Sequence, residues 1–326
     1  MGIEAASKVK FAIIDEAIKR DENLLKVATL CEIAGVSRSG YYNWVNSAPQ
    51  REMAEERDRR DFDLIKVAYQ HRGYAKGARQ LHMRLLHQKP SVLMNIKKIR
   101  RLMKKYGLRC PIRKANPYRR MAKALATSNV APNLLNREFQ KYGERKVLLT
   151  DITYLFFDGG KCYLSVILDA YTKQVLAFKL SQSLEVDFVL ETFNELMEKH
   201  GKTLSKDTMV HSDQGCHYTS HRFIEIVKNS DIRQSMSRRA NCWDNAPQES
   251  FFGHMKDEID LSVCTTFEQV SAVIFDWIDY YNNERYKWDL AKLSPNEFYE
   301  YVSTGNYPLQ GVSPPIAVST EPERCF

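Results

Sequence analysis

The sequence lacks an apolar run long enough to cross a membrane. No stretch of about 18 apolar residues occurs in its 326 residues, and the first residues lack the apolar segment of a signal peptide. The seven cysteines are scattered, form no C-x-x-C pair, and have no histidine at zinc-finger spacing. These absences predict a soluble cytoplasmic protein with reduced thiols, and they exclude a cysteine-rich zinc module.

Acidic residues are missing from one long segment. From Leu64 to Arg137 the sequence contains 19 Lys and Arg but no Asp or Glu. Residues 1–145 hold 31 basic residues against 14 acidic ones, whereas residues 146–326 hold 17 against 26. A basic stretch of this length repels itself unless a polyanion neutralises it. We therefore expect a nucleic-acid-binding half joined to an acidic body, with a solvated basic surface as the alternative.

The first 50 residues show the pattern helix, short turn, helix. Apolar residues recur at helical spacing over residues 24–33, and the turn AGVS leads into a second helix over residues 38–45, with Ser37 as its N-cap. The second helix of such a motif can enter a DNA major groove, which makes Arg38 a candidate DNA contact. A plain helical hairpin is the alternative.

A second module of the same kind is predicted over residues 51–125. Helices are expected at residues 61–70 and 78–86, followed by a strongly basic helix over residues 95–106. Its apolar stripe leaves the rest of the surface basic, and the proline-containing stretch after it is expected to extend along phosphates. The candidate DNA contacts on this helix are Lys97, Lys98, Arg100, Arg101 and Lys104.

From residue 142 the pattern changes from helices to strands. Three successive strands, the first two joined by the turn DGG, are followed by alternating helices and short strands. This order predicts an α/β fold of the RNase H-like type, a mixed sheet with helices on both faces. We expect this body at residues 142–302, between a linker at 126–141 and a loose tail at 303–326. The predicted strands are 146–157, 161–169, 173–180, 208–211 and 232–236, and the predicted helices are 185–200, 220–229, 267–282 and 295–301.

Three acidic residues stand in distinctive contexts. Asp151 interrupts an apolar strand in LLTDITY, Asp213 follows a second apolar strand in HSDQG, and 35 residues separate Asp213 from Glu249 in NCWDNAPQESFF. A carboxylate in a buried strand costs stability unless it is paired or binds a metal, and α/β sheets place ligand sites beyond their strand ends. Carboxylates are the ligands that a two-magnesium phosphoryl-transfer site needs. An edge-strand aspartate and a loop cap are the alternatives for the two aspartates.

The helix around Glu249 is placed by its own residues. Asn245 suits the N-cap and Pro247 the first turn. At helical spacing Glu249, Gly253 and Lys256 share one face, beside an apolar stripe. Lys256 is therefore a candidate DNA contact, with a solvated surface lysine as the alternative. Two further candidate contacts precede this helix: Arg238 and Arg239.

These segments resemble the OrfB transposases of the third large family of bacterial insertion sequences, which share the retroviral-integrase-type core and its DD(35)E triad. The resemblance covers roughly residues 25–302 and includes RRLM and YGL in the basic helix and YYNNER and LSP near the end. It implies that Asp151, Asp213 and Glu249 are catalytic and hold two Mg²⁺ or Mn²⁺ ions. It gives Asp169 no metal role, and Lys287 replaces a histidine that many relatives carry.

We therefore predict a DDE transposase, a DNA strand transferase associated with the nucleoid. Its expected partners are terminal inverted repeats, target DNA, further copies of the chain, and, as a further candidate, an upstream OrfA product. A non-catalytic DNA-binding regulator derived from a transposase is the alternative, and the intact triad argues against it. A nuclease or junction resolvase with the same core would not need two helix-turn-helix modules.

Overall fold

A computed structural model describes the chain in several ranges. These are residues 6–20, 23–111, 131, 133–135, 142–237, 245–309 and 311. Their contacts separate two compact units between Val67 and Ala68, and each unit is described by itself. Most of the predicted linker and tail, and both Arg238 and Arg239, lie outside the described residues.

The described residues contain eleven α-helices and five β-strands. The helices are α1 Ser7–Ile18, α2 Val27–Ile33, α3 Arg38–Asn46, α4 Ala48–Gln70, α5 Ala78–Leu86, α6 Ile96–Lys105, α7 Val186–His200, α8 His221–Asn229, α9 Ala246–Glu258, α10 Phe267–Asn283 and α11 Pro295–Thr304. The strands are β1 Val147–Phe157, β2 Gly160–Asp169, β3 Val175–Ser181, β4 Met209–Ser212 and β5 Arg233–Met236. No helix in the described ranges is both long and apolar enough to span a bilayer.

The first unit contains the helix-turn-helix predicted for its sequence. The turn between α2 and α3 passes through Gly35 in the left-handed region, at φ 63°, and the Ser37 hydroxyl accepts the Gly40 N–H at 3.1 Å. Ile14 of α1 joins Cys31 and Tyr41 in the small core. Arg38, the candidate DNA contact on α3, is solvent-exposed.

The helix expected at residues 61–70 begins much earlier, at Ala48. Pro49 lies in its first turn, where an N–H has no intrahelical partner and proline is therefore tolerated. The charged run that follows continues the helix instead of separating two modules. The domain boundary predicted between residues 50 and 51 consequently falls inside α4.

In the second unit, α5 and α6 follow the prediction closely. Asn95 caps α6 by accepting the Lys97 N–H at 2.8 Å, and Gly107 ends it at φ 72°. Ile99 and Leu102 are fully buried. The basic surface of α6 is exposed at Lys97, Arg100, Arg101 and Lys104, and half-buried at Lys98.

The five strands form one mixed sheet in the order β3-β2-β1-β4-β5. The pairs β1–β2 and β2–β3 are antiparallel, whereas β1–β4 and β4–β5 are parallel. The predicted RNase H-like order, with three antiparallel strands followed by strand–helix alternation, is confirmed.

Alternation along β1 assigns each face of the sheet to different helices. Val147, Leu149 and Leu155 pack in one core with residues of α9 and α10, and we call this side the α9 face. Leu148 packs in the other core with residues of α7 and α8. Successive strand residues point to opposite faces, so Asp151 lies on the α9 face together with Leu149.

We predict that Gly159→Ala lowers the free energy of unfolding by about 1–3 kcal/mol. Gly159 lies in the two-residue turn between β1 and β2, and an added Cβ would collide with the Thr265 carbonyl oxygen and the Phe157 ring. Equilibrium unfolding in denaturant measures the loss. The control is Gly201→Ala, whose Cβ would meet only the Met197 methyl at 3.4 Å. Equal stability of the two variants would contradict the predicted collision.

Candidate active site

Asp151 stands in the middle of the longest strand. It pairs across from Val166 of β2, and its half-buried carboxylate accepts the Ile152 N–H at 2.8 Å. On its other side, β1 pairs with β4 only as far as Leu149 opposite His211. The carboxylate therefore lies just where the parallel pairing ends, at the position that the sequence predicted for a ligand site.

Asp213 occupies the equivalent position on the neighbouring strand. It follows the last residue of β4 and comes two residues after His211, as Asp151 comes two residues after Leu149. Its half-buried carboxylate accepts the Gly215 N–H at 2.8 Å. A Cβ at Gly215 would stand 2.8 Å from the same oxygen, so a side chain there would displace the Asp213 carboxylate. The parallel register thus places the two aspartates side by side.

A buried tyrosine contacts the strand that carries Asp151. Tyr218 is 1% exposed, and its hydroxyl is 3.3 Å from the Thr150 hydroxyl. Burial raises the pKa of Tyr218 well above its ordinary value, and the charges of Asp151 and Asp213 raise it further. Tyr218 follows Asp213 by just five residues.

The loop after β4 is held by buried hydrogen bonds. The His211 ring nitrogens lie 2.9 Å from the Ser235 hydroxyl and 3.0 Å from the Ser237 hydroxyl, which joins the end of β4 to β5. His217 Nε2 donates to the Leu184 carbonyl at 2.9 Å. These histidines shape the loop.

Glu249 is carried by α9 on the same side of the sheet as Asp151. Phe251, Phe252 and Met255 of α9 are buried in the core of the α9 face, and Glu249 itself is exposed in the first turns of the helix. The face of the sheet is therefore shared by Asp151 and the helix that bears Glu249.

The first turn of α9 differs from its prediction. Asn245 is the N-cap residue, but its side chain makes no capping hydrogen bond. One reason is that Pro247 occupies the N2 position and has no backbone N–H to donate to the Asn245 side chain. The side-chain nitrogen and oxygen of both Asn245 and Gln248 are buried without a hydrogen-bond partner in the described structure.

The predicted triad is only partly assembled. Register brings Asp151 and Asp213 together, yet within the described ranges no three His, Cys, Asp or Glu side chains are close enough to hold a metal ion. Glu249 is carried by the helix that packs on the α9 face, but it does not form a group of three metal ligands with the two aspartates. The donor set nevertheless suits a hard divalent cation, because two half-buried carboxylates supply oxygen ligands.

The other acids near the site have structural partners. Asp169 is fully buried, accepts the Arg145 and Tyr171 N–H groups at 3.0 and 2.8 Å, and pairs with the Arg145 guanidinium. Glu258 accepts Arg285 at 2.7 Å and the Trp277 indole N–H at 3.1 Å. Both residues stabilise the fold.

Lys287, which replaces the histidine of many relatives, is close to Tyr281. Its ammonium nitrogen lies 5.0 Å from the centre of the Tyr281 ring. Burial and the neighbouring charge of Arg285 lower the pKa of Lys287 to about 7. A group that titrates near neutrality therefore occupies this position, as a histidine would.

The sheet order and the paired aspartates define an integrase-type core, and comparison with known families agrees. Residues 142–242 and 249–302 match two families that are both described as the integrase core domain. Residues 56–116 match the HTH-like domain.

Comparison with individual proteins shows the family. The 31 kDa protein of insertion element IS600 from Shigella sonnei is 32% identical over 278 residues, which are 83% of this chain and 97% of that protein. Transposase InsF for insertion sequence IS3A from Escherichia coli K12 is 27% identical over 86% of this chain and 96% of that protein. The catalytic core domain of BIV integrase aligns with 50% of this chain and 99% of that domain, at 17% identity and a TM-score of 0.38. The chain belongs to the insertion-sequence transposases that carry an integrase core domain.

Gly253→Ala should raise the free energy of unfolding by about 0.5–1 kcal/mol, because alanine is the better helix former. An added Cβ at this position of α9 would meet no atom within 4 Å. Denaturant unfolding measures the gain. The matched control is Gly40→Ala in α3, where a Cβ would lie 2.8 Å from the Ser37 hydroxyl and 3.0 Å from the Phe11 ring, so no gain is expected. A loss of stability in Gly253→Ala would show that the space beside Glu249 is filled.

Proposed function

We propose that this transposase cleaves DNA at the ends of an insertion sequence and joins the freed ends to target DNA, with Asp151, Asp213 and Glu249 as its catalytic residues. The observation that carries the proposal is the parallel register of β1 and β4. It sets two carboxylates side by side on the sheet face against which the helix of Glu249 packs.

The same carboxylates would hold two Mg²⁺ or Mn²⁺ ions. When bound, such ions neutralise charge on the transferred phosphoryl group and activate the attacking hydroxyl, so no covalent enzyme intermediate is needed. The third ligand would come from Glu249 through a movement of the first turn of α9. The buried, unpartnered amides of Asn245 and Gln248 favour such a movement, because unpaired polar groups make this turn costly to keep as it is.

The remaining residues of the site position the carboxylates. The Gly215 N–H orients the Asp213 carboxylate, and the Tyr218–Thr150 contact supports the two strand ends from the opposite side of the sheet. Each carboxylate is therefore held before substrate arrives, which reduces the reorganisation needed at the reaction.

DNA would reach the site along exposed basic residues. Lys256 is exposed on α9, and the open space beside Gly253 leaves room for a strand next to Glu249. The α6 face and Arg38 of α3 would contact phosphates or bases further along the terminal repeat, and Arg238 and Arg239 are retained as proposed contacts. Pairing of two element ends implies a multimer, and OrfA remains a proposed partner.

A non-catalytic DNA-binding regulator is the second candidate, since the basic modules alone would serve it. The retention of acidic residues at all three positions and the approach of two of them favour the enzyme. The two candidates differ in whether DNA is cut when a divalent metal is added.

We predict that Asp151→Asn, Asp213→Asn or Glu249→Gln each lowers cleavage more than about 100-fold while DNA affinity stays within about twofold, since each change keeps shape but removes a charge that binds metal. The assay uses the element's own terminal DNA with Mg²⁺, and chelation of the metal should stop cleavage in the unaltered protein.

The control for these variants is Asp207→Asn. Asp207 is an exposed carboxylate, 81% accessible, that pairs weakly with Lys146 at the far end of β4. Asp169 is unsuitable because it is buried and holds the Arg145 backbone. Cleavage within about tenfold of the unaltered protein in any triad variant would remove that residue from the catalytic set.

We also predict that Arg100→Glu with Arg101→Glu weakens DNA binding across all sequences. The slope of log K against log salt should shrink by about 0.9 for each phosphate that the variant no longer neutralises, because fewer counterions are released. Titrations at several salt concentrations measure the slope. Lys202→Glu with Lys206→Glu makes the same charge change at exposed positions outside α6 and should leave the slope unchanged. An equal effect in both double variants would mean that net charge, and not the position of the charges on α6, determines the slope.

A further inference from the structure

One carboxylate joins the segment before α5 to the C-terminal helices of the second unit. Glu284 follows the last residue of α10, and one of its oxygens accepts Arg72 Nη2 at 2.6 Å and Arg72 Nε at 3.0 Å. Its other oxygen accepts Arg84 of α5 at 2.8 Å and also bonds His71 Nε2. Two guanidinium groups and an imidazole thus converge on a single acid.

This cluster is well shielded and its acid is firmly charged. The Glu284 side chain is 22% exposed and that of Arg84 is 19% exposed. Burial alone would raise the pKa of Glu284, but the hydrogen bonds from Arg72, Arg84 and His71 outweigh burial and lower the pKa to about 2. The carboxylate is therefore ionised at any physiological pH, and its bonds are charge-assisted.

We call the contacts of Glu284 with His71, Arg72 and Arg84 the junction. Other contacts extend it along α10 and beyond. Asp276 accepts both Arg72 and the Tyr74 hydroxyl at 2.7 Å, and the Tyr74 ring lies 4.6 Å from that of Tyr280. Further on, the His87 ring stacks on Tyr286 at 3.5 Å. The junction therefore combines ion pairs with aromatic packing.

The turn that presents Arg72 is itself held in one conformation. Arg72 has φ 56°, a left-handed value that is unfavourable for a side-chain-bearing residue unless its surroundings enforce it. The buried Lys76 ammonium donates to the carbonyls of Tyr69 and Tyr74 at 3.2 and 2.7 Å and so closes the turn from within. The junction has a fixed shape.

The junction connects two surfaces with different roles in the proposed function. On one side, α5 contacts α6, whose outer face exposes five basic residues. On the other side, Tyr280 of α10 belongs to the core of the α9 face, the face that carries Asp151. Both surfaces lie in one compact unit, and the Arg84–Glu284 pair is one of the contacts that link them.

We propose that the Glu284 cluster sets the spacing along DNA between the sequence contacted by α6 and the phosphodiester that is cleaved. This proposal rests on the proposed function of the site. Adding about five base pairs, half of the roughly 10-base-pair helical repeat, would turn the scissile bond to the opposite side of the duplex. A fixed junction therefore rejects such DNA, whereas a loosened junction accepts it. Glu284 acts as a positioning residue, distant from the reacting atoms.

The test compares the unaltered protein with Glu284→Gln on two DNAs, one with the native terminal repeat and one with about five base pairs inserted between the α6-contacted part and the cleaved bond. The unaltered protein should prefer native spacing by at least about 30-fold. Glu284→Gln should bind both DNAs within about twofold of the unaltered protein and show a preference reduced at least about tenfold. An unchanged preference would overturn the proposal.

The matched control is Glu195→Gln. Glu195 has a 13% exposed side chain and pairs with Lys179 and Lys199, entirely within the catalytic body. The Glu195→Gln variant therefore loses a similarly shielded, ion-paired carboxylate and leaves the junction unchanged. Its preference for native DNA spacing should equal that of the unaltered protein. The same relaxation in Glu195→Gln would mean that general destabilisation, and not the junction, governs spacing.

A second readout needs no catalysis. In the DNA-free protein, hydrogen exchange at the α5 amides should become faster in Glu284→Gln and stay native in Glu195→Gln, and unchanged α5 exchange in Glu284→Gln would overturn the junction's role. If Glu284→Gln does not fold, Arg72→Gln replaces it, because that change leaves Arg84 and His71 on the carboxylate. Absence of cleavage by the unaltered protein would overturn the proposed function, while the exchange result would still decide the junction.

Discussion

The parallel pairing of β1 with β4 is the constraint on which the candidate site depends. Leu149 opposite His211 fixes the register, and because side chains alternate between faces, Asp151 and Asp213 must emerge together where the pairing ends. A slip of one residue would send Asp151 to the opposite face, into the core that contains Leu148. Burial of the Asp151 carboxylate in that apolar core opposes such a slip, because an unpaired charge there costs stability.

The site is unevenly satisfied. The two aspartates sit on a sheet in which the buried His211 joins β4 to β5 through hydrogen bonds. The first turn of α9, by contrast, keeps the amides of Asn245 and Gln248 buried and unpartnered among the described residues. Each such group costs about 1–3 kcal/mol, so a rearrangement that pairs them would offset the work of moving Glu249. A rigid sheet beside a helix end that can rearrange suits a metal ion whose binding would draw Glu249 toward the two aspartates.

The basic half of the chain serves two purposes that composition does not separate. Arg72, Arg84 and Lys76 are directed inward, to carboxylates and carbonyls of the same unit. The exposed residues of α6 keep their charges toward solvent. The absence of acids between residues 64 and 137 is therefore partly balanced by acids about 200 residues away in sequence, Asp276 in α10 and Glu284 just after it.

Local sequence determined most elements and much of the candidate site. Apolar periodicity and the cap at Ser37 placed the helices within a few residues, and the interrupted strand around Asp151 indicated a special carboxylate, because these signals depend on neighbours in the chain. The start of α4 at Ala48 was missed. Proline is unfavourable inside a helix but is tolerated in its first turn, and the sequence alone did not decide between these two positions for Pro49. Only the tertiary structure decided that the Tyr218 hydroxyl lies beside Thr150, that no three metal-ligating side chains group together in the described residues, and that Glu284 gathers Arg72 and Arg84. Those relations join residues far apart in sequence, and they arise from strand register and from burial of charge, which a linear pattern does not record.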